Sequence, residues 1–121
     1  MKAGIAVTGF SPLGAGSYVS IGGATADQSA LVDPVIIAIA TRIGATPAQV
    51  CLAWAAKRGV ATVPKSASAS RMRENLAALD FVDEVSDEDM VTMALLDKNR
   101  RFNDPGVFCE LAFKTFCPIY E

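Results

Sequence analysis

The sequence predicts a parallel α/β fold, on three observations. Two short apolar, β-branched runs, Ile5 to Thr8 and Val60 to Val63, each lead into a proline-containing turn and read as strands. The segments between and after them carry helix start and stop signals. The resulting order of strand, helices, strand and helix is that of a parallel α/β unit.

Each element has a local reason. Ile5 to Thr8 suits a buried parallel strand that ends at Ser11-Pro12-Leu13-Gly14. Ser17 to Gln28 is rich in Gly, Ser and Ala without a sustained period, and is expected to be a long loop. At Asp33-Pro34 the carboxylate can cap free backbone N–H groups, and the proline occupies a first helical position where its missing N–H costs nothing. Gly44 stops that helix. Thr46-Pro47 repeats the signal, and Ala48 to Arg58 continues as a helix that ends on a basic pair and Gly59, with Val50 and Trp54 on one face. Pro64 ends the second strand, Lys65 to Ser70 is a polar loop, and Arg71 to Leu79 is a helix. Ser86-Asp87-Glu88-Asp89 opens a further helix reaching about Leu96. Asp97 to Glu121, with two prolines and several aromatics, reads as an extended tail. Two strands leave unpaired edges on both sides, so either further strands come from another segment or subunit, or the chain is a fragment held in a non-native assembly.

Composition excludes several classes. Half of the 121 residues are hydrophobic, enough for a packed core. Lys plus Arg number 11 against 13 Asp plus Glu, so the basic stripe that nucleic acid requires is absent. Cys51, Cys109 and Cys117 lack metal-ligand spacing, and with no His in the chain an ordinary Cys/His zinc site is excluded. They read as reduced thiols of a cytoplasmic protein, with Cys51 a small buried hydrophobe. Thr8, Gly9 and Ser11-Pro12 break the apolar start, which argues against a secretory leader, and no later run approaches the ~20 apolar residues of a membrane span. Gly14-Ala15-Gly16 follows a strand, but Val19 stands at the third glycine position, so a Rossmann fingerprint is rejected.

Several separated blocks, in matching order and separation, resemble the aldo-keto reductase superfamily. They are Gly4-Ile5-Ala6-Val7-Thr8-Gly9-Phe10-Ser11-Pro12-Leu13-Gly14, then Thr46-Pro47-Ala48-Gln49-Val50 through Leu52-Ala53-Trp54-Ala55-Ala56-Lys57-Arg58-Gly59, then Val63-Pro64-Lys65-Ser66 with Arg71 and Glu74-Asn75. Arg101-Phe102-Asn103-Asp104-Pro105 is similar to the ending of the xylose reductase branch. The resemblance covers nearly the whole chain and implies the C-terminal portion of a (β/α)8 TIM barrel. That portion comprises the last two strand-helix units and a C-terminal helix in residues 1–96, then a tail in 97–121. A complete barrel takes about 250 residues, so this portion cannot close one.

The same resemblance implies NADPH as cofactor. Ser11, Pro12, Leu13 and Gly14 match the loop that meets the diphosphate, where small residues let backbone N–H groups and a hydroxyl approach phosphate oxygens. Lys65 and Ser66 match contacts to the adenosine 2'-phosphate, at the barrel mouth where phosphate sites lie. Arg71 would sit over the adenine or pair with that phosphate. Glu74 and Asn75, one helical turn on, match positions that hydrogen-bond the adenine edge. Departures from the family are Gly9 and Phe10, where Ala and Tyr are commoner, and the Gly/Ser-rich stretch after Gly14. Phe108, Phe113 and Phe116 in the tail are expected to be buried against the barrel, with a substrate-pocket lining as the alternative.

Family catalysis transfers hydride from nicotinamide to a small-molecule carbonyl, with a Tyr acid tuned by a Lys, an Asp and a His from the N-terminal half. This chain has no His, and Tyr18 and Tyr120 do not match the acid, so no catalytic residue is assigned and the isolated chain is expected to be inactive. The leading expectation is the cofactor-binding part of an NADPH-dependent carbonyl or sugar reductase of near three hundred residues. The alternative is a non-enzymatic module that self-associates or docks through its strand edges.

Overall fold

The computed structural model describes residues 4–14, 16–20, 22, 24–99, 102, 106, 109, 110, 113 and 114. Its elements are β1 (Val7–Gly9), α1 (Gly16–Ser20), α2 (Pro34–Ile43), α3 (Pro47–Lys57), β2 (Val60–Thr62), α4 (Ala69–Leu76) and α5 (Asp87–Ala94). Three 3-10 turns, Ala26–Gln28, Ala30–Val32 and Ala77–Phe81, complete the order. β1 and β2 pair in parallel, with Val7 opposite Val60, Thr8 opposite Ala61 and Gly9 opposite Thr62.

The helical corner is built by its caps. Asp33 accepts a hydrogen bond from the Val35 N–H at 2.9 Å, with Pro34 behind it at the first helical position. Gly44 ends α2 in the left-handed region at φ 69°, where a side chain would be strained. Two residues later Thr46 and Gln49 form a reciprocal capping box for α3. The chain thereby turns by 89° between α2 and α3. Ile36, Ile39 and Ala40 of α2 meet Val50 and Cys51 of α3 and Met93 of α5 in one apolar cluster, joined at its margin by Trp54. The other flank of α3 packs on the Ala77–Phe81 turn and on β2. Burial, with a smaller contribution from the Asp33 charge, pushes the Cys51 thiol up to about 11, as suits a structural cysteine.

Ser86 caps α5 and pairs reciprocally with Asp89. Desolvation pushes the Asp89 carboxyl up. Hydrogen bonds from the Ser86 hydroxyl and N–H, together with the Arg42 guanidinium, outweigh it and hold the group below the usual carboxylate range. That network clips α5 to the end of α2.

The structure corrects four expectations. The first strand is not buried: Val7 is 44% exposed and Phe10 73%, and Val63 beyond the second strand is 64% exposed. A parallel strand is buried only when both neighbours and both covering layers are present, and these two strands have only each other among the described residues. The expected loop Ser17 to Gln28 contains most of α1 and the Ala26–Gln28 turn. Tyr18 of α1 is buried because its hydroxyl meets the Ser11 hydroxyl at 3.0 Å and its ring lies 6.5 Å from that of Phe102. The helix expected over Arg71 to Leu79 starts two residues earlier, at the Ser68 cap, and tightens into a 3-10 turn after Leu76. Phe113 is 74% exposed, so no buried anchor forms there; the apolar surface it would need is not supplied by the described residues. Phe108, Phe116, Cys117 and Tyr120 lie outside the described residues, as does most of Arg101 to Pro105. Among the described residues no single helix is long and apolar enough to cross a membrane, and no group of three His, Cys, Asp or Glu gathers as metal ligands.

Candidate functional site

Both strands deliver their following loops to the same end of the sheet, because they run parallel. The loop after β1 is a tight turn closed by the Gly14 N–H donating to the Ser11 carbonyl at 2.9 Å. Ser11 and Gly14 both take positive φ, 49° and 66°, which glycine accommodates and serine tolerates at a cost. The Ser11 hydroxyl is held by Tyr18, so one hydroxyl and one N–H of this loop are already engaged within the protein.

After β2 the chain passes Lys65 and Ser66 into α4. The Ser66 hydroxyl accepts from the Ser68 N–H at 3.1 Å and shapes the turn, while the Ser68 hydroxyl caps the helix. Helix spacing then places Arg71, Glu74 and Asn75 near one another. A depression of about 290 Å³ is lined by Leu13, Leu31, Ala48, Lys65, Ser66, Arg71, Glu74 and Asn75. Six of the nine residues singled out in the sequence thus converge on it. Pro12 lines another hollow instead, and Ser11 and Gly14 line neither.

That second hollow, of about 780 Å³, lies among the sheet, α2, α3, α5 and Phe102. Its lining mixes Ile36, Cys51, Trp54 and Met93 of the core with the charged Asp33, Arg58, Asp97 and Lys98. Trp54 Nε1 is buried there without a partner among the described residues, and the Arg58 guanidinium covers the indole at 4.4 Å. The smaller depression is the candidate site, because six of the nine residues singled out in the sequence line it, with charged and amide side chains from one loop and the helix that follows it.

Three features of it were not legible in the sequence. Leu31 and Ala48 wall the depression from the Ala30–Val32 turn and the first turn of α3, two elements that packing alone brings there. Glu74 is fastened from behind. Its Oε1 accepts from the Thr46 hydroxyl at 2.7 Å, and its backbone carbonyl accepts from Gln49 Nε2 at 3.1 Å. Glu74 sits in the last turn of α4, where carbonyls lack partners within the helix, so the buried Gln49 amide satisfies one of them. The donor set, two cations beside hydroxyl, amide and carboxylate groups, suits a ligand with an anionic group at one end and hydrogen-bonding edges at the other.

The chain is similar to known proteins over most of its length. An aldo/keto reductase of Synechocystis is 42% identical over 98 residues, covering 81% of this chain and 29% of its own length. A probable NAD(P)H-dependent D-xylose reductase of Aspergillus clavatus is 42% identical over 106 residues, covering 86% of this chain and 32% of that protein. Among solved structures, the aldo-keto reductase AKR2E5 of the silkworm Bombyx mori superposes with a TM-score of 0.68 at 32% identity, covering 84% of this chain and 29% of its own. A structure of AKR2E5 complexed with NADPH gives a TM-score of 0.72 at 27% identity, over 96% of this chain and 34% of that one. The chain thus spans roughly a third of the length of these relatives, and its two parallel strands and their helices correspond to part of a (β/α)8 barrel. The model of the aldo/keto reductase family matches residues 1–98, and on that match and these identities the chain belongs to the aldo/keto reductase family.

Proposed function

We propose that this chain is the cofactor-binding C-terminal part of an NADPH-dependent aldo-keto reductase that reduces aldehydes or sugar carbonyls to alcohols. The observation that carries the reading is the convergence of Lys65, Ser66, Arg71, Glu74 and Asn75 on one depression walled by Leu13 of the first strand's loop. In this reading Lys65, Ser66 and Arg71 hold the 2'-phosphate, and Glu74 and Asn75 hold the adenine edge. Ser11, Pro12, Leu13 and Gly14 run along the diphosphate. Relatives named as NAD(P)H-dependent and a neighbour solved with NADPH support the choice of cofactor. When bound, the cofactor supplies hydride; this chain's residues supply binding and orientation at its adenosine end.

No catalytic residue is assigned. The chain holds no His, and the Tyr18 hydroxyl is buried against Ser11 rather than presented to a substrate. Binding energy at the adenosine end without an acid at the carbonyl leaves the reaction uncatalysed, so the isolated polypeptide is proposed to be inactive.

The test is a fluorescence titration of the purified chain with NADPH, and with NADH as control. Saturable binding that prefers NADPH and weakens on Lys65→Ala or Arg71→Ala is expected. Equal binding of both dinucleotides by all variants would remove the 2'-phosphate assignment, and NADPH-dependent aldehyde reduction by the pure chain would overturn the proposed inactivity. A second reading, self-association through the sheet, is favoured by the exposed Val7, Phe10 and Val63 beside strand edges that have no partner among the described residues. Sedimentation at a mass well above 12.7 kDa would support it.

A further inference from the structure

The segment Thr46-Pro47-Ala48-Gln49 opens α3, yet two of its side chains act on α4. The Thr46 hydroxyl does two things at once: it accepts from the Gln49 N–H at 3.2 Å, as a cap must, and donates to Glu74 Oε1 at 2.7 Å. The Gln49 amide is likewise divided, its Oε1 accepting from the Thr46 N–H at 3.0 Å and its Nε2 donating to the Glu74 carbonyl. Side chain and backbone of Glu74 are therefore both pinned by the start of α3, and Ala48 of the same turn walls the depression that Glu74 lines. Capping alone requires neither contact with α4.

We infer that Thr46 and Gln49 are positioning residues that hold Glu74 for selection of a 6-aminopurine over a 6-oxopurine. The inference rests on the dinucleotide-binding reading above. A carboxylate offers about four acceptor sites and no donor, and Thr46 occupies one on Oε1. The remaining acceptors suit an exocyclic amino group and repel a carbonyl at the same position. A carboxylate already fixed in place loses less rotamer entropy when the base binds, so the pinning strengthens the discrimination.

The experiment separates this role from capping. Asn and Asp are both strong caps, but an Asn amide can donate to Glu74 whereas an Asp carboxylate repels it. Binding of NADPH and of its reduced hypoxanthine analogue is titrated by fluorescence for the 121-residue chain and for Thr46→Asn and Thr46→Asp, with thermal melts of each. The original chain is expected to prefer NADPH by on the order of tenfold, the value of one hydrogen bond to a charged group. Thr46→Asn keeps that ratio and Thr46→Asp abolishes it, while both melt close to the original chain. Gln49→Glu, which keeps the capping acceptor and loses the donor to the Glu74 carbonyl, reduces the ratio as well and decides the matter should Thr46→Asp fail to fold. A ratio unchanged in Thr46→Asp, or in Gln49→Glu where it stands in, overturns the inference. Equal binding of both dinucleotides by the original chain also overturns it, leaving the dinucleotide reading intact. Binding of neither overturns the functional reading, and the inference with it.

Discussion

The helical corner and the two-stranded sheet sit side by side in one small chain and have opposite characters. In the corner, Val50, Ala53 and Val85 are fully buried, and both helix starts are capped by side chains. In the sheet, three register pairs hold two strands with no further strand beside them among the described residues, and Val7 is 44% exposed. The difference teaches where the partners of each element lie. Helices α2, α3 and α5 find theirs within the chain, whereas the strands belong to a sheet of which this sequence supplies one part.

The widest separation is expected in amide exchange. Amides of α3 should exchange slower than those of Val7–Gly9 by several orders of magnitude, since local opening spans the range from near zero to the global stability. Equal protection would erase the distinction. In denaturant unfolding, Val50→Ala should cost about 2–3 kcal/mol through lost burial and the cavity left behind. Val63→Ala, at an exposed site, should stay within about 0.5 kcal/mol. Asp89→Ala should cost about 1–2 kcal/mol by removing a cap partner and the link to Arg42. Because the folded Asp89 carboxyl titrates below its unfolded range, its contribution is complete above about pH 5 and is lost as the pH falls through the folded value. The original chain should therefore lose more stability on acidification than Asp89→Ala does. At the small end, Gly9→Ala should raise stability by about 0.4–1 kcal/mol in thermal melts. The added Cβ would meet Val60 Cγ1 at 3.4 Å, an ordinary contact, and Gly9 does not use the left-handed region.

The same contrast explains what was legible in the sequence. Asp33-Pro34, Gly44 and Thr46-Pro47 act through bonds a few residues long, and the observed helix limits follow them closely. Helix α1 escaped notice because Gly16 to Ser20 has no local signal; Tyr18 is held by Ser11 and Phe102, contacts made only after folding. The strands were placed within two residues, but their burial was overread, since an apolar run says that a strand expects cover and not that the cover is present. Of the candidate site, the family resemblance singled out the residues of α4 and its preceding loop that line the depression. The hold of Thr46 and Gln49 on Glu74 joins segments about 25 residues apart, and no local pattern encodes it.

The pairing of Val7 with Val60 joins positions about fifty residues apart, and that distance bears on the order in which the chain folds. Loop closure of this length carries an entropic cost that three ladder pairs offset poorly, while the turn from α2 to α3 forms from near neighbours. The strand pairing is accordingly expected late, after the helices have docked. Leu13 and Lys65 stand on opposite sides of that pairing, so the depression is completed only when the strands meet. A ligand that bridges the two loops would stabilise the joined state by mass action, making occupancy of the site and closure of the sheet one coupled equilibrium.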